Sequence, residues 1–141
     1  MKKRINQVIK YQKSLQFYKK IQVALKEVLS KMPDKDYKTA TSNLIIVALH
    51  EGALGQVMHF ENKNKFQVMQ LIFPKNIPMP VLKFVLAHEL GHVLQGRNWK
   101  KSDNNNLELD AENYAESIGF KRTKEIKIWM KDYAKKFGAN F

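Results

Sequence analysis

The segment His88-Glu89-Leu90-Gly91-His92 constrains this chain more than any other part of its sequence. On an α-helix, residues four apart lie on one face, so His88 and His92 would direct two imidazole nitrogens to one point. Glu89 would lie beside that point, within reach of a water molecule or a carbonyl group. The spacing therefore predicts a metal site with an acid-base residue next to it.

The flanking residues predict that this motif lies on a buried helix. Pro78 and Pro80 precede it, and most residues from 81 to 94 are apolar. A helix that is apolar almost all round belongs in a core. Because unpaired polar groups are costly to bury, the histidines and the glutamate need partners, and a divalent cation is a suitable one. The alternative is a chance match on an ordinary core helix, which a short motif permits.

A third ligand is predicted downstream, since a catalytic zinc site commonly has three protein ligands. Residues 107–119 repeat apolar side chains at helical spacing and end at a glycine. An acidic stripe of Glu108, Glu112 and Glu116 runs beside the apolar one. A solvated face is the simpler interpretation of such a stripe. The chain, however, has 25 Lys and Arg against 13 Asp and Glu, and four of those acids fall between positions 108 and 116, which favours a cation ligand here.

Two segments resemble the ImmA/IrrE zinc peptidases. The run from Phe84 to Leu94, FVLAHELGHVL, is similar to that family's helix, F-x-x-A-H-E-[LI]-G-H followed by apolar residues. The family's later motif, E-x-x-A-[ND]-x-[FY]-A, is matched in register by Glu108, Ala111, Tyr114 and Ala115. The resemblance covers about residues 43 to 119, and its specific motifs lie only within 84 to 115.

The resemblance implies a gluzincin-like site with His88, His92 and Glu108 as zinc ligands and Glu89 as the general base. Glu112 stands where relatives carry Asn or Asp. A longer carboxylate there would either support a histidine or compete with Glu108 for the metal. The HtpX-like peptidases, with an E-x-x-A-D motif, are the nearest alternative relatives, but they are membrane proteins.

A zincin also needs a group that stabilises the oxyanion, usually a Tyr or His that faces the metal. Tyr114 and His50 are the first candidates, and His59 and Tyr133 are further ones. Each of the four is also compatible with an ordinary packed or exposed side chain. Trp99, among polar neighbours in its loop, would either cap the cleft or anchor the loop.

The composition predicts one small domain over residues 1–141. That length is sufficient for a core of its own. No apolar stretch approaches the roughly 18 residues that a membrane-spanning helix needs, and the charged N-terminus shows no apolar signal region. With no cysteine, the chain forms no disulfide and no cysteine metal site, which fits a cytoplasmic protein.

Hydrophobic periodicity predicts an α+β, zincin-like fold. A long N-terminal helix is expected over residues 3–32, stopped by Pro33, with a loop over 34–42. Strand-like runs at 43–50, 56–60 and 66–73 predict a small three-stranded sheet. The motif helix and two further C-terminal helices follow.

The net charge of +12 is compatible with two interpretations. Nine basic residues lie at positions 2–31 and seven at 121–136, as they would on a nucleic-acid-binding surface. Solvated helix faces would look the same, and only three of the 25 basic residues are arginines, the residue that phosphate and base recognition favours. Solvated faces are the preferred interpretation, and no nucleic-acid-binding motif is present.

The expected function is that of a zinc-dependent endopeptidase. The resemblance implies a protein substrate, such as a phage or mobile-element repressor. Two alternatives belong to other classes: an interaction module that keeps the zincin fold without turnover, and a basic nucleic-acid-binding domain. An intact Glu89 argues against the first, because a structural metal site has no use for a base.

Overall fold

The structure, a computed structural model, describes residues 2–50, 55–59, 66–96 and 104–137. Within these residues the chain is α+β and mostly helical, which confirms the α+β part of the predicted fold. The helices are α1 (Lys2–Tyr11), α2 (Lys19–Lys31), α3 (Asp34–Thr41), α4 (Met79–Gln95), α5 (Asn104–Ser117) and α6 (Lys124–Phe137). The strands are β1 (Leu44–His50), β2 (Gly55–His59) and β3 (Gln67–Phe73). None of the described helices is long and apolar enough to cross a membrane.

The single N-terminal helix predicted over residues 3–32 is wrong. Helix α1 ends at Tyr11, a short 3-10 helix covers Lys13–Leu15, and α2 begins at Lys19. The helix is interrupted where the side chains of Gln12 and Ser14 both form hydrogen bonds with the backbone of strand β1. Residues two apart on an α-helix do not share a face, so a continuous helix would not let both side chains reach the same strand.

These two side chains occupy the outer edge of β1. Gln12 Nε2 donates to the carbonyl of Leu44 at 2.9 Å, and the amide of Ile46 donates to Gln12 Oε1 at 2.8 Å. Ser14 Oγ donates to the carbonyl of Ile46 at 2.9 Å and accepts from the amide of Ala48 at 3.0 Å. Because alternate residues of a strand direct their amides and carbonyls to the same edge, Gln12 and Ser14 act there as a neighbouring strand would.

The loop predicted over residues 34–42 is also wrong, since α3 fills most of it. Pro33 precedes the helix, and Asp34 and Asp36 lie in its first turn, where carboxylates interact favourably with the free amides. Tyr37 and Ala40, three residues apart, are buried on its inner face. Only two side chains of this helix are buried, which is why its apolar periodicity is weak in the sequence.

The sheet has the strand order β1-β3-β2. Strand β3 is central, parallel to β1 with Ile46 opposite Met69 and antiparallel to β2 with Val57 opposite Met69. Alternate residues of β3, from Met69 to Phe73, are buried. Strands β1 and β2 are therefore the two edge strands of the sheet. The side chains of Gln12 and Ser14 cover the outer edge of β1.

Helix α4 passes through the middle of the core. It begins at Met79 after Pro78, with Pro80 in its first turn where no amide partner is needed. It contacts α2, α3, α5 and α6 as well as β2 and β3. Most of its side chains are buried, and it ends at Gln95 because Gly96 adopts a φ of 60°. Polar residues on the buried face of α4, which are His88 and Glu89, are therefore carried into the core.

Replacing Gln12 with Ala should lower the free energy of unfolding by about 2 kcal/mol, because two buried backbone groups of β1 lose their partner. Urea denaturation measures the change. Gln16→Ala is the matched control, since the exposed Gln16 makes only contacts of 3.4 Å and should cost less than about 0.5 kcal/mol. Equal effects of the two variants would contradict the role given to Gln12.

Candidate metal centre

Helix α4 presents its two histidines as neighbours on one face. The Nε2 atoms of His88 and His92 lie 3.1 Å apart, and the rings meet edge to face with centroids 4.8 Å apart. The arrangement follows from their four-residue spacing. His88 is buried and His92 half-buried, so the pair lies at the rim of the core.

Helix α5 brings a carboxylate to the same point. Glu108 Oε2 lies 3.1 Å from His88 Nε2, and Glu108 Oε1 lies 3.0 Å from His92 Nε2. The close approach of α5 depends on Gly91, which directly precedes His92. A Cβ there would lie 3.0 Å from Ala111 Cα and 3.2 Å from its carbonyl oxygen, so only glycine allows α5 to come this close.

These three residues fit a divalent metal. One ligand atom from each of His88, His92 and Glu108 lies within 4.8 Å of the others, and no other such group occurs in the part of the chain that the structure describes. Tetrahedral ligation at 2.0–2.1 Å separates neighbouring ligand atoms by roughly 3.3 Å, close to the 3.0–3.1 Å found here. Two imidazoles and one carboxylate are a ligand set that zinc adopts in catalytic sites.

The contacts within this group shift the pKa values of Glu108 and His92 in opposite directions. Hydrogen bonds from His88 and His92 hold the pKa of the Glu108 carboxyl well below its usual range, although partial burial opposes them. Burial alone would lower the pKa of His92, but its hydrogen bonds to Glu108 and Gln95 and the nearby carboxylates raise it above its ordinary value. The side chain of Glu108 is 63% exposed, so the group is open to solvent on the α5 side.

Glu89 lies beside this group but does not join it. It is only 6% exposed, and its Oε2 has no hydrogen-bond partner among the described residues. Burial raises its pKa from 4.5 to about 7, against the opposing charges of His88 and His92. The start of β2 covers it: a Cβ on Gly55 would lie 2.9 Å from Glu89 Cγ and 3.1 Å from Oε1. Glycine at this position leaves the room that the Glu89 side chain occupies.

The structure does not bring Glu112 to the histidines. Its Oε1 lies 3.2 Å from Nε of Arg122, whose guanidinium lies over the Phe84 ring at 4.9 Å. Glu112 follows Glu108 by four residues, a displacement of about 6 Å along the helix axis. It therefore meets the segment before α6, and the sequence-based alternative of a ligand or histidine partner at this position does not fit the geometry.

Tyr114 is likewise not brought to the group. Its hydroxyl donates to Asp36 Oδ2 at 3.2 Å, and burial together with that carboxylate raises its pKa. Tyr133 is buried in the core and stacks on Trp129 at 5.2 Å. His50 and His59 end β1 and β2, but their side chains, like Trp99 as a whole, lie outside the described residues. The oxyanion-stabilising residue therefore stays a prediction.

Sequence reasoning missed one polar neighbour of the ligands. Gln95, the last residue of α4, contacts His92 Nδ1 and the carbonyl of Leu107, each at 2.8 Å. Its three-residue spacing from His92 was the available signal, because residues three apart on a helix are neighbours. A polar residue at a helix end is more often solvated, so the signal is weak.

Comparison of the chain with models of protein families, with curated proteins and with solved structures finds no match. The interpretation of this site therefore rests on the geometry and chemistry of its own residues.

The pKa of Glu89 predicts a pH-dependent difference between the wild type and Glu89→Gln after chelation of divalent metals. The folded carboxyl has a pKa of about 7 against 4.5 in the unfolded chain, so folded wild type binds more protons in that window. Its stability should therefore fall as pH rises from 4.5 to 7, whereas the neutral amide contributes no such change.

The free energy of unfolding of Glu89→Gln relative to wild type should accordingly increase across this window, by on the order of 3 kcal/mol, and level off on both sides. Urea denaturation at a series of pH values measures the difference, in which the titrating groups that do not interact with Glu89 cancel. A difference that stays constant between pH 4.5 and 7 would contradict the burial of an ionisable Glu89.

Proposed function

We propose that this chain is a zinc-dependent endopeptidase with a zincin-like fold and a site of the ImmA/IrrE type. The observation that carries the proposal is the convergence of His88, His92 and Glu108 beside a buried Glu89, whose Oε2 has no hydrogen-bond partner among the described residues. A metal site that served structure alone would gain nothing from that carboxyl group, whose burial is costly.

His88 and His92 would hold the zinc through Nε2 and Glu108 through its carboxylate, which leaves room for a further ligand. Bound zinc would supply acidification of a water molecule and polarisation of a peptide carbonyl. The exposed side of Glu108 supports access of a polypeptide to this point.

Glu89 would act as the general base and then as the general acid. As the water oxygen forms its bond to the carbonyl carbon, the Glu89 carboxylate accepts the water proton. It returns that proton to the amide nitrogen as the carbon–nitrogen bond breaks. In the metal-free chain burial raises the pKa of Glu89, and a general base is most effective when its pKa lies near the operating pH.

Strand β2 is suited to hold the substrate. Among the described residues it pairs with β3 alone, on one of its two edges. Its first residue, Gly55, packs on the Glu89 side chain. An extended peptide that paired with the other edge would pass beside Glu89. A protein substrate of the repressor type stays a prediction that rests on the resemblance, and a cytoplasmic location stays a prediction that rests on the lack of cysteine.

The two alternatives have less support. An interaction module without turnover leaves the burial of Glu89 unexplained. The proposal of a nucleic-acid-binding domain is supported by charge alone. One of the three arginines, Arg122, already contacts Glu112 and the Phe84 ring. The remaining charge is almost all lysine.

The purified protein should bind about one zinc ion per chain, removable by a chelator. His88→Ala, His92→Ala and Glu108→Ala should each weaken zinc binding by more than 100-fold, since the loss of a residue that only orients a ligand already weakens binding by about 10- to 100-fold. Glu112→Ala is the matched control, one turn along the same helix, and should change zinc affinity less than tenfold. Full zinc binding by Glu108→Ala, or a larger loss in Glu112→Ala, would overturn the assignment of the third ligand.

Turnover should depend on Glu89 separately from metal binding. Glu89→Gln should retain stoichiometric zinc and the fold, yet hydrolyse an unstructured protein substrate about 10²- to 10⁴-fold more slowly than wild type. Zinc content, circular dichroism and gel-based cleavage give the three readouts. Cleavage by zinc-loaded Glu89→Gln at the wild-type rate would exclude Glu89 as the base.

A further inference from the structure

The side chain of Gln95 joins the end of α4 to the beginning of α5. Its amide nitrogen donates to the carbonyl of Leu107 at 2.8 Å, and its amide oxygen lies 2.8 Å from Nδ1 of His92. Gln95 is half-buried, and the connecting residues 97–103 lie outside the described part of the chain. The contact is therefore a direct link between the helices that carry the histidines and Glu108.

The two contacts determine each other. A backbone carbonyl only accepts hydrogen bonds, so the group of Gln95 that faces Leu107 has to be its NH₂. The amide oxygen then faces His92, and because that oxygen also only accepts, Nδ1 of His92 carries a hydrogen. In the neutral ring this hydrogen leaves the lone pair on Nε2, the atom that faces His88 and Glu108.

The same amide also restrains the third ligand. Leu107 directly precedes Glu108, so a hydrogen bond to its carbonyl holds the backbone from which the Glu108 side chain extends. A carbonyl oxygen accepts two hydrogen bonds, and this contact is compatible with the helical bond within α5. One side chain therefore touches both the ring of one ligand and the backbone beside another.

His88 is held in a different way. Its Nδ1 has no hydrogen-bond partner among the described residues, and its ring lies 5.8 Å from that of Phe84. Both rings contact Glu108 through Nε2, but among the described residues only the ring of His92 is also held by a hydrogen bond at Nδ1.

We propose that Gln95 is a positioning residue for the metal site, which fixes the Nδ1–H tautomer of His92 and the position of Glu108 through one amide group. The proposal rests on the proposed zinc function and adds to it a residue outside the ligand set. Partners of this kind orient ligating histidines and typically change metal affinity by about 10- to 100-fold when they are lost.

Two substitutions separate the contacts. Gln95→Met has a similar length and removes both hydrogen bonds. Gln95→Glu retains an acceptor for the His92 ring but cannot donate to Leu107. Gln22→Met is the control, because half-buried Gln22 also donates to a backbone carbonyl, that of Leu15 at 2.6 Å, but lies on α2.

Zinc affinity is measured by competition with a chromophoric chelator. Gln95→Met should bind zinc about 10- to 100-fold more weakly than wild type, Gln95→Glu should fall between the two, and Gln22→Met should equal wild type. In the chelated protein at alkaline pH, where the imidazoles are neutral, long-range ¹H–¹⁵N spectra should show His92 protonated at Nδ1 in wild type and Gln95→Glu, and a shift toward Nε2 protonation in Gln95→Met.

Wild-type zinc affinity in Gln95→Met, an equal loss in Gln22→Met, or an unchanged His92 tautomer in Gln95→Met would overturn the proposal. Absence of zinc binding by the wild-type protein would instead refute the proposed function. The tautomer spectra need no metal, so they still decide whether Gln95 holds the His92 ring.

Discussion

Helix α4 carries an ionisable cluster through the hydrophobic core, and the surrounding elements are arranged around that cluster. Its other side chains are mostly apolar and buried, so His88 and Glu89 lose much of their hydration on folding. Glu108 offsets part of this loss, because its carboxylate oxygens lie 3.0 to 3.1 Å from Nε2 of both histidines. No comparable partner for Glu89 Oε2 occurs in the described residues, so its burial stays a net cost that a function has to justify.

Two glycines set the width of the site around α4. At Gly91 the backbone of α5 approaches α4 so closely that a Cβ would overlap Ala111, and at Gly55 the start of β2 comes equally close to Glu89. In the core a change of one methyl group is felt, because interiors are densely packed. The distance from Glu108 to the histidines and the enclosure of Glu89 therefore both depend on the absence of a side chain.

The parts of the fold that were predictable from sequence depend on local periodicity. The continuous apolar pattern of α4 and the four-residue spacing of His88 and His92 determine the helix and the shared face without reference to the rest of the chain. Proximity of Glu108 to them was expected from the distribution of charge and from the resemblance. The break after Tyr11 was not predictable, because it depends on hydrogen bonds from Gln12 and Ser14 to a strand over 30 residues away.

The acidic stripe of α5 shows the same limit at the level of single residues. In the sequence Glu108, Glu112 and Glu116 are equivalent members of one periodic pattern, yet each has a different partner. Glu108 meets the histidines, Glu112 meets Arg122, and Glu116 makes an exposed contact of 3.7 Å with Lys121. The pattern identifies the helix face but not the point at which that face crosses α4.

Exchange of Glu108 for Glu112 at the histidines would require α5 to slide by one turn, about 6 Å along its axis. Two contacts would be lost in that movement. The hydrogen bond from Gln95 to Leu107 would break and Glu112 would leave Arg122, whereas the close approach at Gly91 would be kept, because Ala115 would take the place of Ala111. The choice of third ligand is thus supported by a hydrogen bond and by an ion pair, both of which lie outside the ligand set itself.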